Sequence, residues 1–292
     1  MVWIVGRTVP IHTTTIAYIS EHDSTPDLFL VDMPRYIIQQ LTRGMADYRE
    51  PAWSPDGEWL AFVSDEDRDD EIYLLHVYTG QVRQLTHNQV VDNSPAWSPD
   101  GQRIAYASTQ AGNSDIYIYD LRTDETMQLV SHSGWDNDPA WSPDGQQIIF
   151  VSNRDGYGNF YQVSAAGGKV RQVTQNSGWY LNPAWSPDGR WIVFDSADAT
   201  GADIFLLDTT CLQTNTNCNQ AIRQLTHSDR MDGDPSWSPD GQHIVYYSGI
   251  NSLRYNLVVI TANCYQGTLG CENTAKRITD ERYIDWSPAW KP

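Results

Sequence analysis

Four aspartates, Asp92, Asp136, Asp232 and Asp285, each stand three residues before a proline that opens the same short phrase. Aromatic and charged residues gather around them. Trp135 and Asp138 flank Asp136, Arg230 and Asp234 flank Asp232, and Tyr283 and Trp286 flank Asp285. Tyr48 and Arg49 hold the corresponding place in an earlier copy, and Trp179 and Tyr180 in a later one. Carboxylates of this kind offer hard oxygen ligands, which suit Ca²⁺ if Asp92, Asp136, Asp232 and Asp285 converge on one ion. Tryptophan and tyrosine faces in the same loops suit a peptide or a sugar ring. Repeated placement equally fits a turn or capping role for each aspartate within its own repeat.

Other chemistry is sparse. His87 and His227 occupy equivalent positions in different repeats and His132 lies one place off, so the histidines are spread around a rim rather than around one ion. Asp65, Asp67, Asp69, Asp70 and Glu71 form an acidic run without the glycine and distant glutamate of a calcium loop, and read as a solvated loop. No nucleophile elbow, phosphate-cradling glycine loop or His-Glu-x-x-His motif occurs, so no catalytic residue is assigned and a non-enzyme is expected.

The elements that must position these residues are repeats. Pro-Ala-Trp-Ser-Pro-Asp-Gly begins at Pro51, Pro95, Pro139 and Pro183, returns with one change at Pro235, and survives as Pro288-Ala289-Trp290 at the end of the chain. The spacings are 44, 44, 44, 52 and 53 residues, a period that signals a propeller or solenoid. Ser-Pro-Asp-Gly is turn chemistry, so the Ala-Trp before it and the apolar run after it, such as Leu60-Ala61-Phe62-Val63, should pair as antiparallel strands. A third strand, typified by Ile72-Tyr73-Leu74-Leu75, and a fourth, typified by Val82-Arg83-Gln84-Leu85-Thr86, complete four strands per unit. Four strands make a propeller blade.

This pattern resembles the TolB-like family of six-bladed β-propellers, whose WD40-like repeat carries the same Trp-Ser-Pro-Asp-Gly turn, Ile-Tyr third strand and Gln-Leu-Thr fourth strand. The resemblance runs from about 16 to 292. An all-β, six-bladed propeller forming one domain over 1–292 is therefore expected, with blades starting near 16, 51, 95, 139, 183 and 235. The first blade lacks an innermost strand, so the segment at 288–292 should pair into it and close the ring. Residues 1–15 read as an irregular leader or an extra strand. In this family a similar channel face receives partner proteins and extended peptides. The family's namesake also carries a separate N-terminal α/β domain, which 15 leading residues cannot form. A surface scaffold or sensor is therefore expected, rather than a component of the Tol envelope system.

Composition narrows the partners. Acidic residues outnumber basic ones 37 to 19, for a net charge of −18, which disfavours nucleic acid and anionic lipid and favours cationic partners or divalent metal. The same charge also simply keeps a surface soluble. No apolar run approaches the ~18 residues of a membrane span, and no charged segment followed by an apolar core marks a signal peptide at the start. Membrane insertion is not expected, and a monomer is. All four cysteines fall in longer loops of the fifth and sixth repeats with one spacing, Cys211 to Cys218 and Cys264 to Cys271. Matching spacing in equivalent hairpins favours two local disulfides over a cross-blade pair, and the ligand spacing of a zinc site is absent. Loop-borne disulfides imply an oxidising compartment: periplasm, cell surface or medium. The expectation is a non-catalytic binding module that engages a protein or peptide through its acidic, aromatic rim. The alternative is a glycan-binding or glycan-cleaving propeller, with Ca²⁺ as the cofactor it would use.

Overall fold

The computed structural model describes residues 14–22, 25–33, 35–197, 201–213, 217–227, 229–251, 254–264, 271–280 and 282–292. The leader assigned to 1–15 lies outside them except for Thr14 and Thr15. The chain is built from antiparallel strands in five sheets. Strands β4 (Tyr48–Trp53), β5 (Trp59–Ser64), β6 (Glu71–His76) and β7 (Val82–Gln84) form one four-stranded sheet in chain order. Strands β8 (Asp92–Trp97) to β11 (Glu125–Gln128), and β12 (Asp136–Trp141) to β15 (Arg171–Gln172), repeat it. Strands β16 (Trp179–Trp185), β17 (Trp191–Ala197), β18 (Ala202–Asp208) and β19 (Ile222–Gln224) share an eight-stranded sheet with β20 (Met231–Trp237), β21 (His243–Asn251), β22 (Arg254–Thr261) and β23 (Lys276–Arg277). Among the described residues a single parallel bridge, Ala202 to Met231, joins the two halves.

The remaining sheet joins the two ends of the chain. Strand β24 (Ile284–Trp290) lies beside β1 (Thr15–Glu21), which pairs with β2 (Pro26–Asp32) and then β3 (Ile37–Gln40). Its register sets Ile16 opposite Trp290, Ala17 opposite Ala289 and Ser20 opposite Asp285. Lys291, where other copies carry serine, packs its aliphatic stem against Gly57, leaving no room there for a β-carbon.

Each signature residue has a local task. In the turns the serine hydroxyl donates to the aspartate two places on, at 2.5 Å for Ser54 and Asp56 and 2.6 Å for Ser98 and Asp100. The same Ser54 oxygen accepts the Trp59 N–H, and Gly57 takes φ +67, which closes the turn into β5. The threonine of Gln-Leu-Thr lies beyond its strand. Its hydroxyl accepts the first free N–H of the third strand, as Thr42 does from Leu28, Thr86 from Ile72 and Thr226 from Ile204. The second and third strands are buried along nearly their whole length, which is why they read as continuous apolar runs. Adjacent sheets pack through these faces, for example where Ile149, Val151 and Phe160 meet Ile192 and Phe194. Several inner strands stitch to a neighbour as well, although Trp185 Nε1 in β16 is buried without an acceptor. Indole Nε1 of Trp97 donates to Ala52 O at 3.2 Å, that of Trp141 to Ala96 O at 3.1 Å, and that of Trp237 to Ala184 O at 3.1 Å.

The cysteines pair as Cys211–Cys218 and Cys264–Cys271, and no described cysteine is free. The first loop is also tied to the preceding sheet, because Cys218 N donates to Val173 O at 2.9 Å. Leu212 and Gln213 line a cleft with Pro143 and Asp144, so this cysteine hairpin sits beside the Ser-Pro-Asp-Gly turns.

Candidate binding site

The inner strands β4, β8, β12, β16, β20 and β24 share a defect with a purpose. Each changes register in its middle, between Arg49 and Ala52 in β4 and between Asn93 and Ala96 in β8, as in a β-bulge. The residue before the signature proline takes the left-handed conformation at each bulge: Glu50 (φ 53), Ser94 (φ 51), Asp138 (φ 50), Asn182 (φ 51), Asp234 (φ 48) and Ser287 (φ 47). Non-glycine residues rarely adopt this region, and a following proline disfavours α conformations further. The sheets on either side hold the strain in place. All six side chains line one cavity of about 580 Å³, whose walls are the signature prolines, alanines and tryptophans. The cavity extends to the turns, where Pro143, Pro187, Pro239 and Pro292 line it.

Acidic and neutral residues alternate around this ring. Glu50 accepts the Ser94 N–H at 2.6 Å, and Ser94 Oγ donates to Asp138 at 3.0 Å. The Asn182 amide donates to Asp234 at 2.7 Å and to Asp195, from β17 behind the ring, at 2.8 Å. Ser287 Oγ donates to the other oxygen of Asp234 at 2.8 Å. Removal from bulk water raises every one of these carboxyls, and like charges add to it for Glu50, Asp195 and Asp234. Burial pushes Asp195 up to about 8, with Asp234 contributing. Glu50 rises to about 7 through burial, against the bond from Ser94 and with help from Asp138 and Asp234. Asp234 rises to about 6 through burial, opposed by Ser287. Asp138 is raised by burial too. The floor of the cavity is a concentration of acid that a cationic group would relieve.

The residues expected to form a rim are dispersed. Only Asp138 and Asp234 face the cavity. Tyr48, Asp92, Asp136, Asp232 and Asp285 are buried at or near the start of the inner strands, and do not present to solvent. Asp92 accepts from Asn88 at 2.7 Å, Asp136 from Arg154 at 2.9 Å and Asp285 from Ser20 at 2.5 Å. The four aspartates weighed as one Ca²⁺ site therefore belong to separate sheets, each engaged locally. Arg49 is paired with Asp70 at 2.5 Å, Tyr283 stacks on His22 and Arg230 is half-buried. Tyr180 packs between Phe160 and Phe194, and Trp286 against the core around Leu28 and Leu60. Trp135 and Trp179 stack on each other, centroids 5.7 Å apart and nearly parallel, with Trp179 38% exposed.

Glu50, Ser94, Asn182, Asp195 and Ser287 were not among the residues singled out from sequence. The other four ring positions could have been grouped with Asp138 and Asp234 by one signal, a polar residue immediately before each signature proline. Asp195 has no such marker. The signature tryptophans, read as structural because every copy has one, do join the sheets but also form the cavity wall.

A propeller with an acid-floored axial cavity is thus the class that fold and site define. The chain belongs to the TolB beta propeller domain family, whose model matches residues 8–269. The structure is similar to TolB from Acinetobacter baumannii, with 25% sequence identity and a TM-score of 0.80 over 96% of this chain and 67% of that one. It is similar to a putative TolB from Agrobacterium tumefaciens at 18% identity and TM-score 0.71, covering 96% of this chain and 99% of that one. An oligogalacturonate lyase from Vibrio parahaemolyticus shares the fold at 18% identity and TM-score 0.55, over 90% of this chain and 73% of that one. No curated protein sequence matches the chain. Among the described residues no helix is long and apolar enough to cross a membrane.

Proposed function

We propose that this chain is a non-catalytic, extracytoplasmic binding module of six blades, closed by β24, that takes an extended protein or peptide segment into its axial cavity. The observation that carries the reading is the ring of Glu50, Asp138 and Asp234 alternating with Ser94, Asn182 and Ser287 at the base of proline- and tryptophan-lined walls. Rigid apolar walls bury a segment at small entropic cost, and the acidic floor selects one that carries a lysine, an arginine or an amino terminus. Two loop disulfides suit an oxidising compartment. TolB-like propellers generally bind proteins, which supports the same reading.

The test is fluorescence anisotropy with labelled extended peptides of matched length, one series lysine-containing and one acidic. Lysine peptides should bind the parent and lose affinity with Asp138→Asn/Asp234→Asn, while Trp179→Ala leaves them unaffected. Equal binding by the parent and the ring variant would sink the proposal.

A second reading rests on the Trp135–Trp179 stack, whose exposed face suits a sugar ring. It predicts sugar-dependent quenching of tryptophan fluorescence that Trp179→Ala abolishes.

A further inference from the structure

The loop that leads into β6 contains a second acidic centre, remote in its chemistry from the axial ring. Asp67, Asp69 and Glu71 each bring a carboxylate oxygen within 4.8 Å of the other two. Two oxygens that coordinate one Ca²⁺ at about 2.4 Å can be no more than about 4.8 Å apart, so the three oxygens lie within the span of a single ion. Proximity of carboxylates alone would not distinguish a solvated loop from a site.

Hydrogen bonding does distinguish them. Glu71 is fully buried, its Oε1 accepts the Asn88 N–H at 2.6 Å, and its Oε2 has no donor. Asp69 Oδ2 is also sequestered from water without a donor. The neighbouring carboxylate of Asp92, from the next sheet, is fully buried as well, and its Oδ1 has none either. Asp92 and Glu71 are brought together because Asp92 N donates to Asp70 O at 2.8 Å, which docks the start of β8 on this loop. Each of these three carboxylates thus keeps one buried oxygen without a donor, beside bonds from Thr86 to Glu71 and from Ser108, Asn88 and Thr86 to Asp92. Buried acceptors without donors are costly, and a bound cation satisfies all of them at once.

The nearby cations are otherwise committed or face outward. Arg49 is held by Asp70, and Arg68 is exposed. Asp67 is exposed with one oxygen taken by Gln84 at 2.7 Å, which leaves an entry path from solvent. Other sheets do not repeat this arrangement. The residue at the start of the third strand is Asp27, Asp115 or Asp203 elsewhere, Asn159 in β14 (Asn159–Ser164) and Tyr255 in β22. Asp27 and Asp203 accept from the threonine and glutamine of their own Gln-Leu-Thr segment, whereas Glu71 shares the threonine, Thr86, but its glutamine, Gln84, turns to Asp67. Glu71 is one methylene longer than these aspartates.

We propose that Asp67, Asp69 and Glu71, backed by Asp92, bind a hard divalent cation of the calcium class at the junction of the second and third repeats. Water completes the coordination shell, since Ca²⁺ takes six to eight oxygens in adaptable geometry. The ion would link the β5–β6 loop to β8, acting between blades rather than in the axial cavity.

The experiment is calorimetric titration of the full chain with CaCl₂ alone, together with melting temperatures with and without Ca²⁺. The parent should take up one equivalent and melt higher with the ion. Asp67→Asn, at an exposed position, should bind on the order of 10-fold more weakly without any loss of fold. Glu71→Gln should abolish uptake yet melt no lower than the ion-free parent, because its amide gives Asp92 the missing donor; Asn159 shows that a neutral amide is accepted at the equivalent place. Asp138→Asn/Asp234→Asn should leave the uptake intact, which separates this site from the cavity. Absence of uptake at about 10 mM Ca²⁺, well above the range of weak extracellular sites, overturns the proposal. So does uptake that survives Glu71→Gln but is lost with the ring variant.

Discussion

Trp53 Nε1 donates to Ala289 O at 3.1 Å, tying the inner strand of the second repeat to the last strand of the chain. The same bond recurs between other neighbouring inner strands, so the C-terminal strand is treated as one more member of the set. Trp53→Phe removes the bond and keeps most of the packing, and should cost about 1 kcal/mol. Trp53→Ala also empties a buried site and should cost about 3–5 kcal/mol. Deleting 284–292 exposes the edge of β1 and should lower the melting temperature and promote association. Thermal denaturation of the three variants, with sizing of the deletion, checks each step; a deletion that melts like the parent would contradict the role given to β24.

The axial acids give stability a sign with respect to pH. The Asp195 carboxyl is pushed up to about 8 in the folded chain by burial and by Asp234, against roughly 4 for an unfolded aspartate. A raised acid binds more protons folded than unfolded, so its contribution is fully present below about pH 4 and is lost as the pH climbs towards 8. Asp195→Asn keeps an oxygen for the Asn182 amide and the Asp234 N–H and removes the titration. The variant should melt higher than the parent at pH 8, and this advantage should shrink steadily towards pH 4. Melting curves across that range measure it, and a pH-independent difference would remove Asp195 from the account.

The repeat made the fold legible, and it also misdirected the search for a site. Seven-residue identity revealed the turn and the strand after it, because those features depend on local chemistry that each copy repeats, and the cysteine pairs were legible from one spacing shared by two equivalent loops. The place of a side chain relative to the axis depends on the bulge, and the bulge shifts register after the aspartates Asp92, Asp136, Asp232 and Asp285 but before the tryptophans. Read as loop, these aspartates looked like a rim; at the strand starts they are buried and do not line the cavity. Glu50 and Asn182 drew no notice in the sequence, yet each takes a left-handed conformation at the bulge and lines the cavity. Asp195 could not be found from a pattern at all, since it occupies a position where the equivalent residues are Val63, Ala107 and Val151.

The disulfides close short loops, each with a sequence separation of 7. Chain-entropy reasoning assigns about 2.5 kcal/mol to a loop of this size. The two should differ in their local consequences. Cys218 is buried and its N–H holds Val173, so opening Cys211–Cys218 also loosens the contact between the fourth and fifth repeats. Cys211→Ser/Cys218→Ser should therefore lower stability by more than loop closure alone, and should speed amide exchange at Cys218 or its replacement and in β15. Thiol titration of the denatured, unreduced chain should find no free thiol, and hydrogen-exchange measurements on the variant would locate the loosening.

Arg154 settles what Asp136 is for. Its guanidinium donates to both oxygens of that carboxylate, at 2.9 and 3.1 Å, with the arginine side chain 14% exposed and the aspartate fully buried. It also lies 4.6 Å from the centre of the Tyr161 ring. Burial raises the Asp136 carboxyl, while Ser152 and Arg154 hold it down. Removing the arginine would leave a buried charge without its partner, so Arg154→Ala should cost about 3–5 kcal/mol at neutral pH. Arg154→Ala with Asp136→Asn removes both charges and should cost clearly less than the two single changes added together. Arg154→Ala alone should recover part of its lost stability on acidification, because protonating Asp136 discharges the orphaned carboxylate, and the double variant should show no such recovery. Denaturant titrations of the four proteins at pH 5 and pH 7.5 complete the cycle. Additive costs with no pH dependence would mean that the pair is incidental, and would return Asp136 to the pool of carboxylates free to bind a ligand.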